Sequence, residues 1–308
     1  MPSRVYYFLL LTCITLSRVH ASSGSKPSIP ISLQQSGIGK AFYTRIDRAN
    51  ELAALEQQVE DHNALLVATA NTRLEANSRR RLICLPLNEK FNPPMGQFSH
   101  NHVQNGDKLS VPRNFAEAFR EGGFEVPFLL KVSRVEGVTK PMVEDDRIDN
   151  DTTPSRPLEE VVGGPLDFRA PSNYCFLPLW MMRAMRLHPR DIVDVKVTTT
   201  VPAGTMAKFR PHSSDFNKDI SNPRAVLETE LRHYSALTRG STIAFDYNGK
   251  RYWVDVEELR MEPRGEKAPM VKVQDCDLAT DFLMPKDEQK RRKEERRRRL
   301  EEQKADQE

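Results

Sequence analysis

One short pattern occurs twice in this chain, and it limits the fold more than any other feature. Residues 108–112 (KLSVP) read as a strand running into Pro112. Residues 114–121 (NFAEAFRE) then have the spacing of a short amphipathic helix, and after Gly122 and Gly123 residues 127–132 (PFLLKV) return as a strand. The order recurs in residues 174–178 (YCFLP), 179–185 (LWMMRAM), a loop with Pro189, and residues 192–197 (IVDVKV). In both copies proline is expected at the first turn of the helix, where a missing amide hydrogen costs least. Two such units are what a pseudo-two-fold double-psi β-barrel requires. A β-rich α+β fold with that barrel at residues 81–202 is therefore expected.

A β/α roll is expected next, at residues 203–285. Residues 209–216 (FRPHSSDF) read as a loop. Asn222 is placed to cap a helix with Pro223 in its first turn, Leu227, Leu231 and Tyr234 on its buried face, and Gly240 as its stop. Residues 241–247 (STIAFDY) and 250–256 (KRYWVDV) flank Asn248 and Gly249, which predicts a hairpin with a type I′ turn. Residues 271–276 (VKVQDC) add a strand.

The flanks are different in kind. Leu52, Leu55, Val59, Leu65, Leu66 and Leu74 give residues 46–80 a helical stripe, read as a spacer. Residues 141–162 are acidic, contain proline and lack a period, and read as a disordered surface insert. They hold a formal glycosylation acceptor at Asn150. Residues 286–308 are almost wholly charged, as in a solvated helix, with Arg296 to Arg299 as the alternative contact for an acidic partner.

The start of the chain carries an address. Arg4, the apolar residues 5–16 and the small-residue site at 19–21 read as a signal peptide over residues 1–21. Residues 22–46 have no Asp or Glu and are rich in Ser, with Lys26, Lys40 and Arg45. That composition fits a transit peptide or a linker equally, and its position behind a signal favours transit within residues 22–80. Beyond the leader no apolar run is long enough to cross a bilayer, so a soluble mature protein is expected. Cys84, Cys175 and Cys276 are far apart in sequence and show neither C-x-x-C nor metal-ligand spacing, which fits small buried thiols rather than disulfides.

Signs of catalysis are lacking. The sequence holds no phosphate-cradling Gly loop, no G-x-S-x-G and no H-E-x-x-H. His100 and His102 have no third ligand nearby, and His212, Ser213, Ser214 and Asp215 read as turn residues. A net charge of +3 is too small to point to nucleic acid. A binding module is expected, without catalytic residues, metal or cofactor.

Five stretches carry a resemblance to a known family: residues 106–112 (GDKLSVP), 173–182 (NYCFLPLWMM), 208–216 (KFRPHSSDF), 220–227 (ISNPRAVL), and 275–277 (DCD) with Asp281 and Phe282. In this order they resemble the ubiquitin fusion degradation protein 1 family over residues 80–285. The resemblance implies a double-psi barrel followed by a small β/α roll. It implies a non-catalytic adaptor that binds ubiquitin chains, works with a second adaptor, and delivers ubiquitin-modified substrates to the hexameric AAA+ ATPase valosin-containing protein. Membrane association would come only through those partners.

Within that resemblance, Phe209, Pro211, Asp215, Phe216, Asn222 and Pro223 are the candidates for contact with ubiquitin or a partner. The last glycine is Gly265, so a Gly-containing ATPase-binding motif is not expected in the tail. Together with the leader, this fits the symbiont-derived form of the machinery. That form is expected between the outer membranes of a complex, apicoplast-like plastid, reached through the ER. The alternatives are a scaffold of the same complex that has lost ubiquitin binding, and residence in the ER lumen or secretory route.

Overall fold

The computed structural model describes residues 37–87, 105–124, 126–135 and 157–305. The leader, His100, His102, Asn150 and most of the acidic insert lie outside the described residues. The chain divides into two units, the second beginning at Glu56. Residues 37–55, in the first unit, form the first part of α1 (Gly37–Thr69). All three sheets of the described residues belong to the second unit.

The repeated pattern pairs with itself. The first sheet holds β1 (Arg79–Pro86), β2 (Leu109–Ser110), β3 (Leu129–Arg134), β4 (Glu160–Gly163), β5 (Pro165–Asp167), β6 (Tyr174–Leu177) and β7 (Ile192–Thr198). Their order is β4-β3-β7-β1-β6-β2-β5. The first strands of the two copies, β2 and β6, meet antiparallel at Ser110 and Phe176, and the last strands, β3 and β7, pair antiparallel from Leu129–Thr198 to Arg134–Val193. Strand β1 runs antiparallel to β7 in its first half and parallel to β6 in its second. The short strands β4 and β5 repeat that arrangement, β4 antiparallel to β3 and β5 parallel to β2. Each of these pairings in one copy thus has a counterpart in the other.

Each copy carries one helix, α3 (Arg113–Gly122) or α4 (Leu179–Met185). Pro112 and Pro178 stand one position earlier than expected, as N-caps with extended backbone, because the chain is still leaving its strand there. Helix α3 buries Phe115, Ala118 and Phe119, the i, i+3, i+4 face of an amphipathic helix. Burial of a large apolar side chain of this kind contributes roughly 1.5–3 kcal/mol. Its core partners include Leu82, Cys84, Leu130, Cys175 and Val195.

The second region contains β8 (Gly204–Pro211), β9 (Ala236–Thr238), β10 (Thr242–Tyr247), β11 (Lys250–Met261), β12 (Glu266–Lys267), β13 (Met270–Lys272) and β14 (Ala279–Phe282). Its main sheet runs β10-β11-β8-β14, with β12 beside β11 and β13 paired to β9. The hairpin forms where expected. Asn248 and Gly249 both have positive φ (49° and 74°), which the type I′ turn requires, and Thr242 to Tyr247 pair with Asp255 to Lys250.

Several expectations fail locally, each for a visible reason. Residues 209–211 belong to β8 rather than to a loop, because alternate side chains of that strand face the core. Residues 215–219 form a short helix, α5 (Asp215–Asp219). The capped helix, α6 (Pro223–Leu231), ends before Tyr234, which is buried just beyond it, while Gly240 (φ +85°) serves a turn ahead of β10. Strand β13 stops at Lys272, so Cys276 lies outside it and is half-buried. The end of the acidic insert is strand: Val161 and Val162 in β4 are fully buried. The spacer reading also gives way after residue 55. Val59 is buried, and the Asn63 amide accepts from the Arg81 N–H and donates to the Arg81 carbonyl, clipping α1 to the edge of β1. Leu65 does not follow the stripe and is 60% exposed. A second helix, α2 (Arg73–Ser78), is capped by Thr72.

The two regions meet at a polar joint beside β9. Asp107, fully buried ahead of β2, accepts from the backbone N–H groups of Ser235 (2.7 Å) and Ala236 (2.9 Å). The Trp180 indole donates to the Gly106 carbonyl at 2.8 Å, and Val162 N–H donates to the Thr238 hydroxyl. Leu129, Val162, Val201 and Ala236 form a small apolar cluster beside these bonds.

Candidate functional site

The segment from β8 to α6 holds all six candidate residues, and the structure sorts them. Phe209 (0% exposed) and Phe216 (1%) are core residues. Phe216 packs its ring against Phe282, Phe245 and Tyr252 at 5.3, 6.1 and 6.1 Å between centroids, and Phe209 lies 6.2 Å from Phe282. Their side chains are closed to a partner in this conformation. Pro211 is also buried, at the end of β8. Aromatic rings at these positions are what a small sheet needs to fill the space under two short helices.

Asp215, Asn222 and Pro223 remain at the surface in whole or part. Asp215 stands at the first turn of α5, where a carboxylate suits the helix N-terminus. Lys250, from the hairpin, bridges Asp215 (3.1 Å) and Asp219 (2.8 Å), and the Tyr252 hydroxyl donates to Asp219 at 2.7 Å. The hydrogen bonds and charge of Lys250 hold both carboxyls below the ordinary aspartate range, and the two carboxylates push the Lys250 ammonium up. Asn222 is exposed and its side chain accepts from Ala225 N–H, with Pro223 in the first turn. Its capping role is as expected.

A second polar cluster lies at the same end of β8, at His212 just beyond Pro211. His212 Nε2 is 2.6 Å from Asp255 Oδ1, which also accepts from the Thr242 hydroxyl at 2.8 Å. Lys286 lies 2.9 Å from His212 and 2.5 Å from the second Asp255 oxygen. Burial pushes the Asp255 carboxyl up, but the bonds from His212 and Lys286 overcome this and leave it below its ordinary value. Asp287 accepts from Ser214 N–H, and Arg210 donates to the Met284 carbonyl. These contacts anchor the start of α7 (Lys286–Ala305), whose remaining turns are exposed.

His212 faces Asp255 and Lys286, and the Ser213 hydroxyl accepts from Asp215 N–H. Among the described residues, no group of three or more His, Cys, Asp or Glu side chains could hold a metal, and no helix is long and apolar enough to cross a membrane. The sequence reading missed Lys250, Asp219 and Asp255. Lys250 and Asp255 come from the hairpin, whose existence was legible but whose facing was not, and Asp219 comes from α5, which the sequence reading did not foresee.

Comparison with known proteins covers both sheets. Residues 87–201 match the family model described as Ubiquitin fusion degradation protein UFD1, N-terminal subdomain 1, and residues 203–285 match its N-terminal subdomain 2. A Dictyostelium discoideum protein named Ubiquitin fusion degradation protein 1 homolog is 39% identical over 124 residues, which is 40% of this chain and 35% of that relative. The Homo sapiens protein named Ubiquitin recognition factor in ER-associated degradation protein 1 is 38% identical over 191 residues, 62% of this chain and 53% of the relative. The Saccharomyces cerevisiae Ubiquitin fusion degradation protein 1 is 38% identical over 123 residues, 40% of this chain and 33% of the relative. The chain thus spans about half or less of the length of these relatives.

Proposed function

This chain belongs to the ubiquitin fusion degradation protein 1 family, and on that premise we propose that it is a non-catalytic, ubiquitin-binding adaptor that recruits modified substrates to an AAA+ ATPase of the valosin-containing protein type. The observation that carries the reading is the match of both consecutive family models, in order, over residues 87–201 and 203–285. Recognition of ubiquitin and work in ER-associated degradation are what the names of the relatives state. A second adaptor belongs to the same proposal. So does a division into a double-psi barrel at 81–202 and a β/α roll at 203–285. The barrel reading is supported by the self-pairing of the two copies and by the single residue, Gly164, between β4 and β5.

The working place we propose is the compartment between the outer membranes of a complex plastid. There the ATPase would draw proteins through a membrane. The support is the order of the leader, signal before transit-like stretch.

Within the site, Asp215, Asn222 and Pro223 are the contact candidates, since their surfaces are open. Titration of the full chain with ubiquitin chains tests the function. Saturable binding is expected, and no binding at concentrations where the Homo sapiens ubiquitin recognition factor binds would overturn it. A C-terminal tag followed in the native cell tests the place. A shortened product at the plastid periphery with Asn150 unglycosylated is expected, and a glycosylated product spread through the secretory route would contradict it.

A further inference from the structure

Two of the cysteines that look unrelated in sequence are neighbours in space. Cys84 of β1 and Cys175 of β6 are register partners in the parallel pairing of those strands. Paired strands lie about 4.8 Å apart, and directly paired residues present their side chains on the same face. That separation falls inside the roughly 4.4–6.8 Å Cα window of a disulfide. Both side chains are fully buried in the same apolar cluster, and both are free thiols here. The third described cysteine, Cys276, is in another region and half-buried.

We propose that Cys84 and Cys175 form a reversible disulfide, a redox site that links β1 to β6 across the centre of the first sheet. The oxidant is a small-molecule disulfide of the glutathione type. One cysteine thiolate attacks a glutathione sulfur, breaking the S–S bond and releasing one glutathione thiolate. The second cysteine thiolate then attacks the mixed disulfide at the protein sulfur and releases the other. Two protein thiols lose two electrons and two protons, and one glutathione disulfide is reduced to two thiols.

Two physical features set how this site behaves. The first is access. Burial pushes the Cys84 thiol up to about 12 and the Cys175 thiol well above its ordinary value. A folded, reduced chain therefore offers almost no thiolate, and thiolate is the reacting species. Oxidation belongs to the folding chain, before β1 and β6 close, or to a transient opening between them. The second is position. Both cysteines lie within the pairing of β1 and β6, so the bond can close only as those strands come into register. The site can then register the redox state of the compartment in which the chain folds, whatever its partner.

The full chain, refolded in glutathione buffers of graded thiol-to-disulfide ratio and then alkylated, tests this by peptide mapping without reduction. Tryptic peptides 82–90 and 170–183 are expected joined, lighter than their summed masses by two hydrogens. Alkylation of Cys84 and Cys175 should fall together with one midpoint, while Cys276 titrates apart. Independent alkylation or separate glutathione adducts at Cys84 and Cys175 would overturn the proposal, as would preferential joining of either to Cys13 or Cys276. With the already folded, reduced chain in the same buffers, the joined peptide should form at least about tenfold more slowly, given the suppressed thiolate. Equal rates would remove the role given to burial.

Discussion

The first sheet region is built from long-range pairings between two copies of one pattern, and its core is largely aliphatic and sulfur-bearing. The second is built around a local hairpin, and its core is aromatic. In the first, Leu177, Met181, Val193 and Val195 fill the centre, and Phe119 gathers Phe124, Phe128 and Phe168 around it. In the second, Phe216 touches Phe245, Tyr252 and Phe282, and Phe209 also lies against Phe282. Phe209 and Phe216 fill the core of the second region and are closed to a partner in this conformation.

Truncating Phe216 should cost the most. Phe216→Ala is expected to destabilise the chain by about 3–5 kcal/mol, read as a fall in the urea midpoint. If the loss were below about 1 kcal/mol, the placement of Phe216 in the core would be wrong. The joint between the regions comes next. Asp107→Ala leaves the N–H groups of Ser235 and Ala236 without their acceptor, at about 1–3 kcal/mol for each buried orphan.

Asp107→Asn keeps an oxygen for those bonds and separates charge from geometry. Burial raises the Asp107 carboxyl in the folded state, opposed by Lys108 and the two N–H donors. Its protonation therefore adds stability that is fully present below the unfolded value, near 3.9, and lost as pH rises through the folded value. Urea unfolding across acid to neutral pH should show the wild type losing stability relative to Asp107→Asn, and parallel curves would contradict the burial argument. The smallest effect is at the helix cap. Asn222→Ala should cost about 1 kcal/mol, measured by thermal or urea unfolding, because only one exposed N–H loses its partner.

How much was legible follows the same divide. The Asn248–Gly249 turn and the Asn222–Pro223 cap are local chemistry, set by backbone angles within a few residues, and both stand where the sequence places them. The two strand–proline–helix units were legible as a repeat, but the sequence does not reveal that β4 and β5 together mirror β1. Those strands are short, and β4 hides at the end of an acidic run. The site was half legible. Phe209 and Phe216 stand in a run that looks like a loop because Pro211, His212, Ser213 and Ser214 interrupt it. The alternation of Ala207, Phe209 and Pro211 was the available signal for a strand. Asp107 gave no local signal, since its partners are backbone groups more than a hundred residues away. The Cys84–Cys175 pairing was hidden for the same reason: register is a property of the folded sheet.

The central claim is that the open surface of the second region recognises ubiquitin. The most direct measurement places a photo-crosslinking amino acid at residue 215 of the full chain, and in a second preparation at Arg169, exposed in the first region. Each is irradiated with ubiquitin chains at saturating concentration. The account predicts ubiquitin adducts from position 215 that are competed by unlabelled ubiquitin, and few from position 169. Adducts from 169 but not 215 would move recognition to the first region, and adducts from neither, alongside no saturable binding, would contradict the claim.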